Sequence, residues 1–262
     1  MAGVSDPGRK RRRNEDAFVC KPPLFAVADG MGGARAGHVA SRLAATAARE
    51  EPTTGSLPPE ERVVELIQEA NRRVYQRSSQ DDEAAGMGTT MTVALVHDGE
   101  VSIGHVGDSR AYLVRSGELT QLTDDHSLVA ELMRDGKLSP EEAESHPQRS
   151  LVTRVLGTDP DVDVDTFAIE ARPGDVFLLA TDGLTSMVSD DDILEIVERN
   201  RNDLDAAARS LVKAANREGG EDNITVVAFE IAGADAGGTV EDVTRELPGE
   251  LVTEDGEDDT LT

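Results

Sequence analysis

Four short apolar segments of this chain end or begin beside an aspartate, and this pattern constrains the fold more than any other feature. The four pairs are 24–28 with Asp29, 101–106 with Asp108, 176–181 with Asp182, and 224–229 with Asp222. Apolar runs of this length, bounded by turn residues, are typical of buried β-strands. One aspartate beside a strand is usually a turn or a helix cap, but four at the margin of a core place negative charge where it is costly.

The first predicted hairpin brings two acids together. Its turn lies at 21–23, so antiparallel pairing sets Asp16 nearly opposite Asp29. Antiparallel neighbours would also bring Asp29, Asp182 and Asp222 to one edge of a sheet. Carboxylates gathered in this way repel one another, and Mg²⁺ or Mn²⁺ relieves the repulsion because hard cations prefer oxygen ligands. The residues alone therefore predict a divalent-metal site at a sheet edge.

Hydrophobic periodicity predicts strands interleaved with pairs of helices. The predicted strands are 17–20, 24–28, 89–96, 101–105, 111–115, 119–122, 162–169, 175–181 and 224–231. The predicted helices cover about 36–50, 58–78, 190–199 and 203–217. Residues 126–156 have a helical pattern that glycine and proline interrupt, which predicts short helices outside the sheets. This order is not a strict β–α alternation, so it disfavours a Rossmann-type sheet and fits an α+β fold of two sheets flanked by helix pairs.

Composition excludes several classes of protein. The 262 residues carry 26 Lys and Arg against 52 Asp and Glu, a net charge of −26, and a surface this acidic disfavours nucleic-acid binding. No apolar run approaches the ~20 residues of a membrane span. The single cysteine, Cys20, excludes an intrachain disulfide and disfavours a cysteine-based zinc site. We expect a cytoplasmic monomer without a membrane span.

The last thirty residues differ from the rest. From 233 onward Gly, Asp, Glu and Thr dominate, and the hydrophobic periodicity ends. This composition predicts a folded domain at 1–232, followed by an acidic, disordered tail at 233–262. The tail is expected to be either a solubilising end or a segment that binds a partner.

Six motifs follow one another along the chain, and five of them contain a candidate aspartate. They are RRRNED at 11–16, ADGMGG at 28–33, GMGTT at 86–90, GHVGDSR at 104–110, ATDGL at 180–184 and EDNITVV at 221–227. Their types and order resemble the metal-dependent, type 2C, protein serine/threonine phosphatases. The DGMGG form and the HPQR stretch at 146–149 resemble the bacterial branch, whose members often oppose transmembrane Ser/Thr kinases. Any one motif is weak, whereas the ordered set is highly specific.

The resemblance implies an α-β-β-α sandwich with a dinuclear Mn²⁺ or Mg²⁺ site. In that arrangement Asp29 bridges both ions, the carbonyl of Gly30 completes the ligands of one, and Asp182 and Asp222 hold the other. Two such ions can bridge a water molecule, lower its pKa and direct it at phosphorus. The implied nucleophile is therefore this water rather than a side chain.

Other residues receive roles by the same resemblance. Glu15 and Asp16 contact the ions directly or through water, and Asp108 with Asp182 matches a third, weaker metal site of bacterial members. Arg11 stands at the position of the phosphate-binding arginine, and a guanidinium suits a bidentate clamp on a phosphate dianion. The neighbouring cations at 12–13 are expected to be solvated surface.

A flap beside the active site is implied at 126–150, with Asp125, His126 and His146 as its candidate residues. Some eukaryotic members place a histidine general acid where this chain has Met31, so the proton for the leaving group is expected from another source, such as a metal-bound water. His126 and His146, like His38, are expected to be surface or capping residues.

The expected function is metal-dependent hydrolysis of phosphoserine and phosphothreonine in proteins, opposing bacterial Ser/Thr kinases. The expected partners are phosphorylated proteins, including such a kinase. Two alternatives remain open: a non-catalytic or regulatory relative that binds metal and a partner, and a phosphatase dedicated to one regulatory protein. A cysteine-dependent phosphatase is excluded because no C-x₅-R sequence follows Cys20.

Overall fold

The computed structural model describes residues 1–31, 33–50 and 57–233, and these form two antiparallel sheets. The strands in chain order are β1 (Ala2–Asp6), β2 (Asp16–Lys21), β3 (Leu24–Met31), β4 (Gly88–Thr89), β5 (Met91–His97), β6 (Glu100–Val106), β7 (Arg110–Arg115), β8 (Glu118–Gln121), β9 (Asp165–Glu170), β10 (Val176–Ala180) and β11 (Ile224–Glu230). The helices are α1 (Gly33–Glu50), α2 (Pro59–Gln80), α3 (Leu128–Arg134), α4 (Pro140–Glu144), α5 (Asp182–Thr185), α6 (Asp190–Arg199) and α7 (Leu204–Arg217).

The first sheet has the order β1-β11-β10-β7-β8, and the second has β2-β3-β5-β6-β9, with β4 paired to β3. Alternate residues of the central strands fill the space between the sheets. Phe25 of β3 stacks on Phe229 of β11 with ring centroids 4.0 Å apart, and Phe177 of β10 stacks on Phe229 at 5.2 Å. These three rings form the centre of the inter-sheet core.

Helices bury the outer faces of both sheets. Ala44 and Ala47 of α1 are fully buried against the second sheet beside Leu24, and small side chains there let the helix approach closely. On the first sheet, Ile193 of α6 and Leu211 of α7 pack against outward-facing residues of β10 and β11. The arrangement confirms the α+β class and the four-layer α-β-β-α sandwich. It also explains why the central strands are apolar throughout rather than alternating.

The predicted run of strands between 89 and 122 is divided between the sheets. The hairpin β5–β6 lies in the second sheet and β7–β8 lies in the first. The chain crosses at Gly107, whose φ is +116° and whose α-carbon faces Thr90 so closely that a Cβ would collide with it. Both predicted hairpin turns are present, but the link between them is a change of sheet.

Other boundaries also differ from the sequence-based expectation. β9 begins at Asp165 rather than at 162, and the single-turn helix α5 was not predicted. The edge strand β1, which was not among the predicted strands, pairs with β11 from Ala2 to Asp6. Apart from Gly233, the predicted tail at 233–262 lies outside the described residues. Among the described helices, none is both long enough and apolar enough to cross a membrane.

Candidate metal centre and active site

Carboxylates from both sheets meet at one end of the sandwich. Asp16 and Asp29 face each other across the β2–β3 pair, at the register expected from the hairpin. Asp182 follows β10 at the start of α5, and Asp222 precedes β11. The expectation that Asp29, Asp182 and Asp222 lie at one edge of a single sheet was therefore wrong. One pair of aspartates belongs to each sheet, and the face-to-face packing brings the two pairs together.

Threonine hydroxyls connect the two halves of this acid cluster. Thr181 and Thr225, at the ends of β10 and β11, donate hydrogen bonds of 2.9 and 2.6 Å to Oδ2 of Asp16. The charge of Asp182, in the first sheet, also acts on Asp29, in the second.

The titration of the cluster follows from its environment. Removal from water, followed by the charges of neighbouring acids, raises the pKa of Asp29 well above its ordinary value. Loss of solvation also raises the pKa of Asp16 to about 7, although the two threonine hydroxyls oppose the shift. The pKa of Asp182 is raised as well, first by desolvation and then by Asp222. Added positive charge would stabilise such a group of acids as anions.

Two oxygens of the cluster are free to accept a ligand. Oδ1 of Asp16 and Oδ1 of Asp182 are buried, and neither has a hydrogen-bond partner among the described residues. A buried acceptor without a partner carries the full cost of its desolvation. Oxygen donors of this kind suit Mg²⁺ or Mn²⁺. The residues present therefore fit divalent ions.

Within the described part of the chain, no three His, Cys, Asp or Glu side chains form a closed set around one ion position. This is consistent with Mg²⁺-type chemistry, because Mg²⁺ is commonly held by one or two carboxylates and keeps several waters. A backbone carbonyl such as that of Gly30 adds a ligand without a further charge. The geometry disfavours a zinc site built from side chains alone.

Glycines permit the close packing beside the cluster. A Cβ on Gly30 would collide with the carbonyl oxygen of Gly37 in α1, and one on Gly183 would collide with the carbonyl of Asn223. The amide of Gly30 donates to the carbonyl of Glu15 at 3.2 Å. Gly37 was not singled out from the sequence. The sequence feature that could have identified Gly37 is its position in the first turns of an alanine-rich helix.

The N-terminal loop that carries Arg11 is fixed by one buried side chain. Asn223 accepts from the backbone N–H of Glu15 at 2.8 Å and donates to the carbonyls of Pro7 at 3.0 Å and Arg13 at 2.9 Å. The guanidinium of Arg11 donates to Asp222 at 2.6 Å, and its side chain remains 53% exposed. The loop thus places one arginine beside the acid cluster with free N–H groups.

A cavity of about 580 Å³ opens beside the cluster. Asp108 and Asp182 line one side, and the residues of the implied flap that line the other include Val129, Met133 and Arg149. Loss of solvation, together with the charge of Asp182, raises the pKa of Asp108 to about 7. The cavity is therefore open to a polar substrate on its acidic side and bordered by apolar and basic groups on the other.

The root of the flap is anchored to the first sheet. Arg110 of β7 makes a bidentate pair with Asp125, with N–O distances of 2.9 and 2.8 Å. Arg110 also donates to the hydroxyl of Tyr112 at 3.2 Å, and Tyr112 donates to Asp190 at 3.2 Å. Asp125 is therefore anchored to the first sheet directly before the segment at 126–150.

The expectation that His126 is a surface or capping residue was wrong. Its ring is buried because it packs against His105 with centroids 4.8 Å apart. Its Nδ1 accepts from the N–H of Gly107 at 3.0 Å, which leaves Nε2 to donate to Asp165 at 3.1 Å. Desolvation lowers the pKa of His126 and lowers that of His105 to about 4. His126 is therefore a neutral tether between the flap and the loop before Asp108.

The other two histidines of the candidate set lie outside the cluster. Nδ1 of His146 accepts from the N–H of Gln148 at 3.2 Å, which is the local capping role expected for it. His38 lies in α1, where its carbonyl receives the Ser41 hydroxyl at 3.4 Å. Neither makes a hydrogen bond to an aspartate of the cluster among the described residues.

The two-sheet sandwich and its acid cluster are those of a protein suited to divalent metal ions, and comparison with known proteins identifies its family. The sequence matches the family described as protein phosphatase 2C over residues 9–221. It is 43% identical over 236 residues to the serine/threonine phosphatase stp of Listeria monocytogenes, covering 86% of this chain and 93% of that one.

Solved structures give the same result. The crystal structure of the Mycobacterium tuberculosis serine/threonine phosphatase PstP/Ppp superposes with a TM-score of 0.82 at 40% identity, covering 88% of this chain and 98% of that one. The catalytic domain of PstP in complex with two manganese ions superposes with a TM-score of 0.80 at 37% identity, covering 88% and 97%. The chain belongs to the protein phosphatase 2C family and is a metal-dependent protein serine/threonine phosphatase of the bacterial type.

Proposed function

We propose that this phosphatase holds two Mn²⁺ or Mg²⁺ ions in the acid cluster, with Asp29 as a ligand of both. The carbonyl of Gly30 completes the ligands of one ion, and Asp182 and Asp222 hold the other. When bound, such ions lower the pKa of water and neutralise charge on a phosphoryl group. The observation that carries the proposal is the pair of buried oxygens, on Asp16 and Asp182, that lack a hydrogen-bond partner among the described residues.

Asp16 and Glu15 are assigned to contacts with these ions, directly or through water. Asp16 has one oxygen to offer, because the hydroxyls of Thr181 and Thr225 occupy the other. The backbone of Glu15 is held on two sides, with its carbonyl accepting from Ser41 at 2.5 Å and its N–H donating to Asn223. The chain thereby holds the Asp16 carboxylate and the Glu15 backbone in place before any ion binds.

Arg11 is assigned to the phosphate group of the substrate. A guanidinium presents several N–H groups in one plane and binds phosphate oxygens in pairs. Its contact with Asp222 uses one of these groups and holds the side chain beside the acid cluster. When a phosphate binds, Arg11 exchanges this contact with Asp222 for contacts with phosphate oxygens. Part of the binding energy of the phosphate therefore offsets the loss of the Asp222 contact.

A third, weaker ion is proposed between Asp108 and Asp182. Both residues line the 580 Å³ cavity, and the charge of Asp182 contributes to the raised pKa of Asp108. A cation between them would relieve this repulsion on the side of the cluster that faces the flap.

The substrates are proposed to be proteins phosphorylated on serine or threonine, including a Ser/Thr kinase that the enzyme opposes. The resemblance to the bacterial branch and the names of the relatives support this proposal. A cytoplasmic location and a monomeric state remain predictions. Exposed large hydrophobic side chains in the described residues are scattered, at Met1, Leu57, Met133 and Leu151, which agrees with a monomer.

Hydrolysis of p-nitrophenyl phosphate tests the proposal. Turnover should require Mn²⁺ or Mg²⁺, stop on addition of EDTA, and resist inhibitors of the okadaic acid type. Asp182→Asn should lose turnover while keeping the far-UV circular dichroism and cooperative unfolding of the wild type. A metal-loaded wild type that hydrolyses neither this ester nor phosphothreonine peptides would identify the chain as a non-catalytic member of its family.

A further inference from the structure

Four cations surround Arg11 in sequence, and their side chains have no partner in the part of the chain that the structure describes. Arg9, Lys10, Arg12 and Arg13, here called the basic loop, are all exposed. None of their side chains makes an ion pair or a hydrogen bond within the described residues. Elsewhere, most arginines of the described residues donate to a carboxylate or a carbonyl. In a chain with 52 acids and 26 bases, four cations close to one another in sequence thus lack a side-chain partner among the described residues.

The position of the basic loop is fixed by its backbone. The N–H groups of Arg9 and Lys10 both donate to the carbonyl of Gly220, at 2.7 and 3.2 Å. On the other side of Arg11, the carbonyl of Arg13 accepts from Asn223 at 2.9 Å. The loop is therefore tied to the first sheet before and after Arg11, and its cations are presented from a fixed backbone.

The loop lies beside the site of reaction. Adjacent Cα atoms are about 3.8 Å apart, so Lys10 and Arg12 flank the residue assigned to the phosphate. An extended peptide advances about 3.3 Å per residue. Residues within about three positions of a phosphoserine or phosphothreonine held by Arg11 therefore pass within reach of these side chains.

We propose that the basic loop is a docking surface for acidic substrate segments, which carry carboxylates or further phosphates within a few residues of the phosphoserine or phosphothreonine. The proposal rests on the proposed function, because it takes Arg11 as the phosphate-binding group. The net charge of −26 repels such substrates at long range, but at 0.1 M salt the Debye length is about 10 Å. Local cations therefore decide whether an acidic flank is favoured.

Two phosphothreonine peptides test this surface, one with glutamates at the flanking positions and one with glutamines. At 0.1 M salt the wild type should show a kcat/KM about 3- to 10-fold higher for the acidic peptide, the range expected for two or three exposed ion pairs. Lys10→Gln combined with Arg12→Gln should reduce this ratio to below about 2. The matched control, Lys21→Gln with Lys213→Gln, removes the same charge at exposed positions away from the cluster and should keep the wild-type ratio.

The outcomes separate this proposal from the function on which it rests. Each variant is also assayed with p-nitrophenyl phosphate, which has no flanking residues and reports the reaction alone. A wild type that hydrolyses neither p-nitrophenyl phosphate nor either peptide would refute the phosphatase assignment. Turnover of both peptides at equal kcat/KM would overturn only the docking surface. A preference for the acidic peptide that survives in the Lys10 and Arg12 variant would also overturn the docking surface. If deleting 234–262 raises turnover of the neutral peptide only when the basic loop is intact, the loop binds the chain's own acidic segment, and the substrate assignment is overturned.

Discussion

The hydroxyl of Thr225, in the first sheet, donates a 2.6 Å hydrogen bond to the carboxylate of Asp16, in the second. Thr181 makes a parallel bond to the same oxygen. The acid cluster is therefore joined across the sandwich by neutral donors, which stabilise Asp16 as an anion without competing for its other oxygen. The two hydroxyl groups are therefore expected to support metal binding by Asp16.

Thr225→Val should lower the affinity for Mn²⁺ while preserving the fold. Valine has nearly the shape of threonine but cannot donate to Asp16, and loss of a group that orients a metal ligand typically costs 10- to 100-fold in affinity. The measurement is the Mn²⁺ concentration at half-maximal turnover of p-nitrophenyl phosphate. Thr120→Val, at an exposed position of β8, is the control and should leave that concentration unchanged. Equal behaviour of the two variants would show that the hydroxyl does not support the site.

Stability in the absence of metal should depend on pH through Asp16. Its pKa in the folded chain is raised to about 7, so between about pH 4 and 7 the folded state binds more protons than the unfolded state. The free energy of unfolding should therefore fall as pH rises through this window, by at most about 4 kcal/mol for a shift of this size.

Urea unfolding in EDTA at several pH values measures this effect. Asp16→Asn removes the titrating group, so its stability relative to the wild type should increase from pH 5 to pH 8. Asp191→Asn makes the same charge change at an exposed position of α6 and is the matched control. A constant difference for Asp16→Asn would mean that the carboxyl group titrates normally.

Asn223 should act on substrate binding through Arg11. Asn223→Ala removes the three hydrogen bonds that fix the N-terminal loop, which should lower the free energy of unfolding by about 1–3 kcal/mol. Arg11→Ala should mainly raise KM for p-nitrophenyl phosphate. Since both changes affect the same interaction, KM in the double variant should match that of Arg11→Ala. Multiplicative effects on KM would show that Asn223 works independently of Arg11.

His126 should contribute to stability as a hydrogen-bond acceptor. His126→Phe keeps an aromatic ring but leaves the N–H of Gly107 buried without its partner, at a cost of about 1–3 kcal/mol. His146→Phe changes a half-exposed residue of the same flap and should alter the unfolding free energy by less than about 0.5 kcal/mol. Urea titration of both variants makes the comparison, and equal losses would argue against the tether.

Part of this site could be predicted from local sequence. The turn at 21–23 determines the pairing of Asp16 with Asp29, because register in a hairpin is fixed by its turn. The placement of Asp182 near Asp29 could not be predicted in this way. It depends on how two sheets pack, and strand periodicity shows which face is apolar without showing which sheet a strand joins.

The residues that sequence analysis missed or misassigned share a cause. His126 has ordinary sequence neighbours for a surface residue, and only the fold places it against His105. Asn223 stands next to a candidate ligand, yet its three hydrogen bonds reach residues more than 200 positions away. Side chains that support a site through long-range contacts leave little local signal.

The number of Mn²⁺ ions bound per chain tests most directly whether the acid cluster is the metal centre. It is measured by equilibrium dialysis of the whole protein after removal of weakly held ions. The wild type should retain at least two ions. Asp182→Asn should retain at least one fewer while unfolding cooperatively, because it replaces a carboxylate whose buried oxygen has no other partner among the described residues. Equal stoichiometry in the two proteins, or a wild type that retains no ion, would contradict the assignment of this acid cluster as the metal centre.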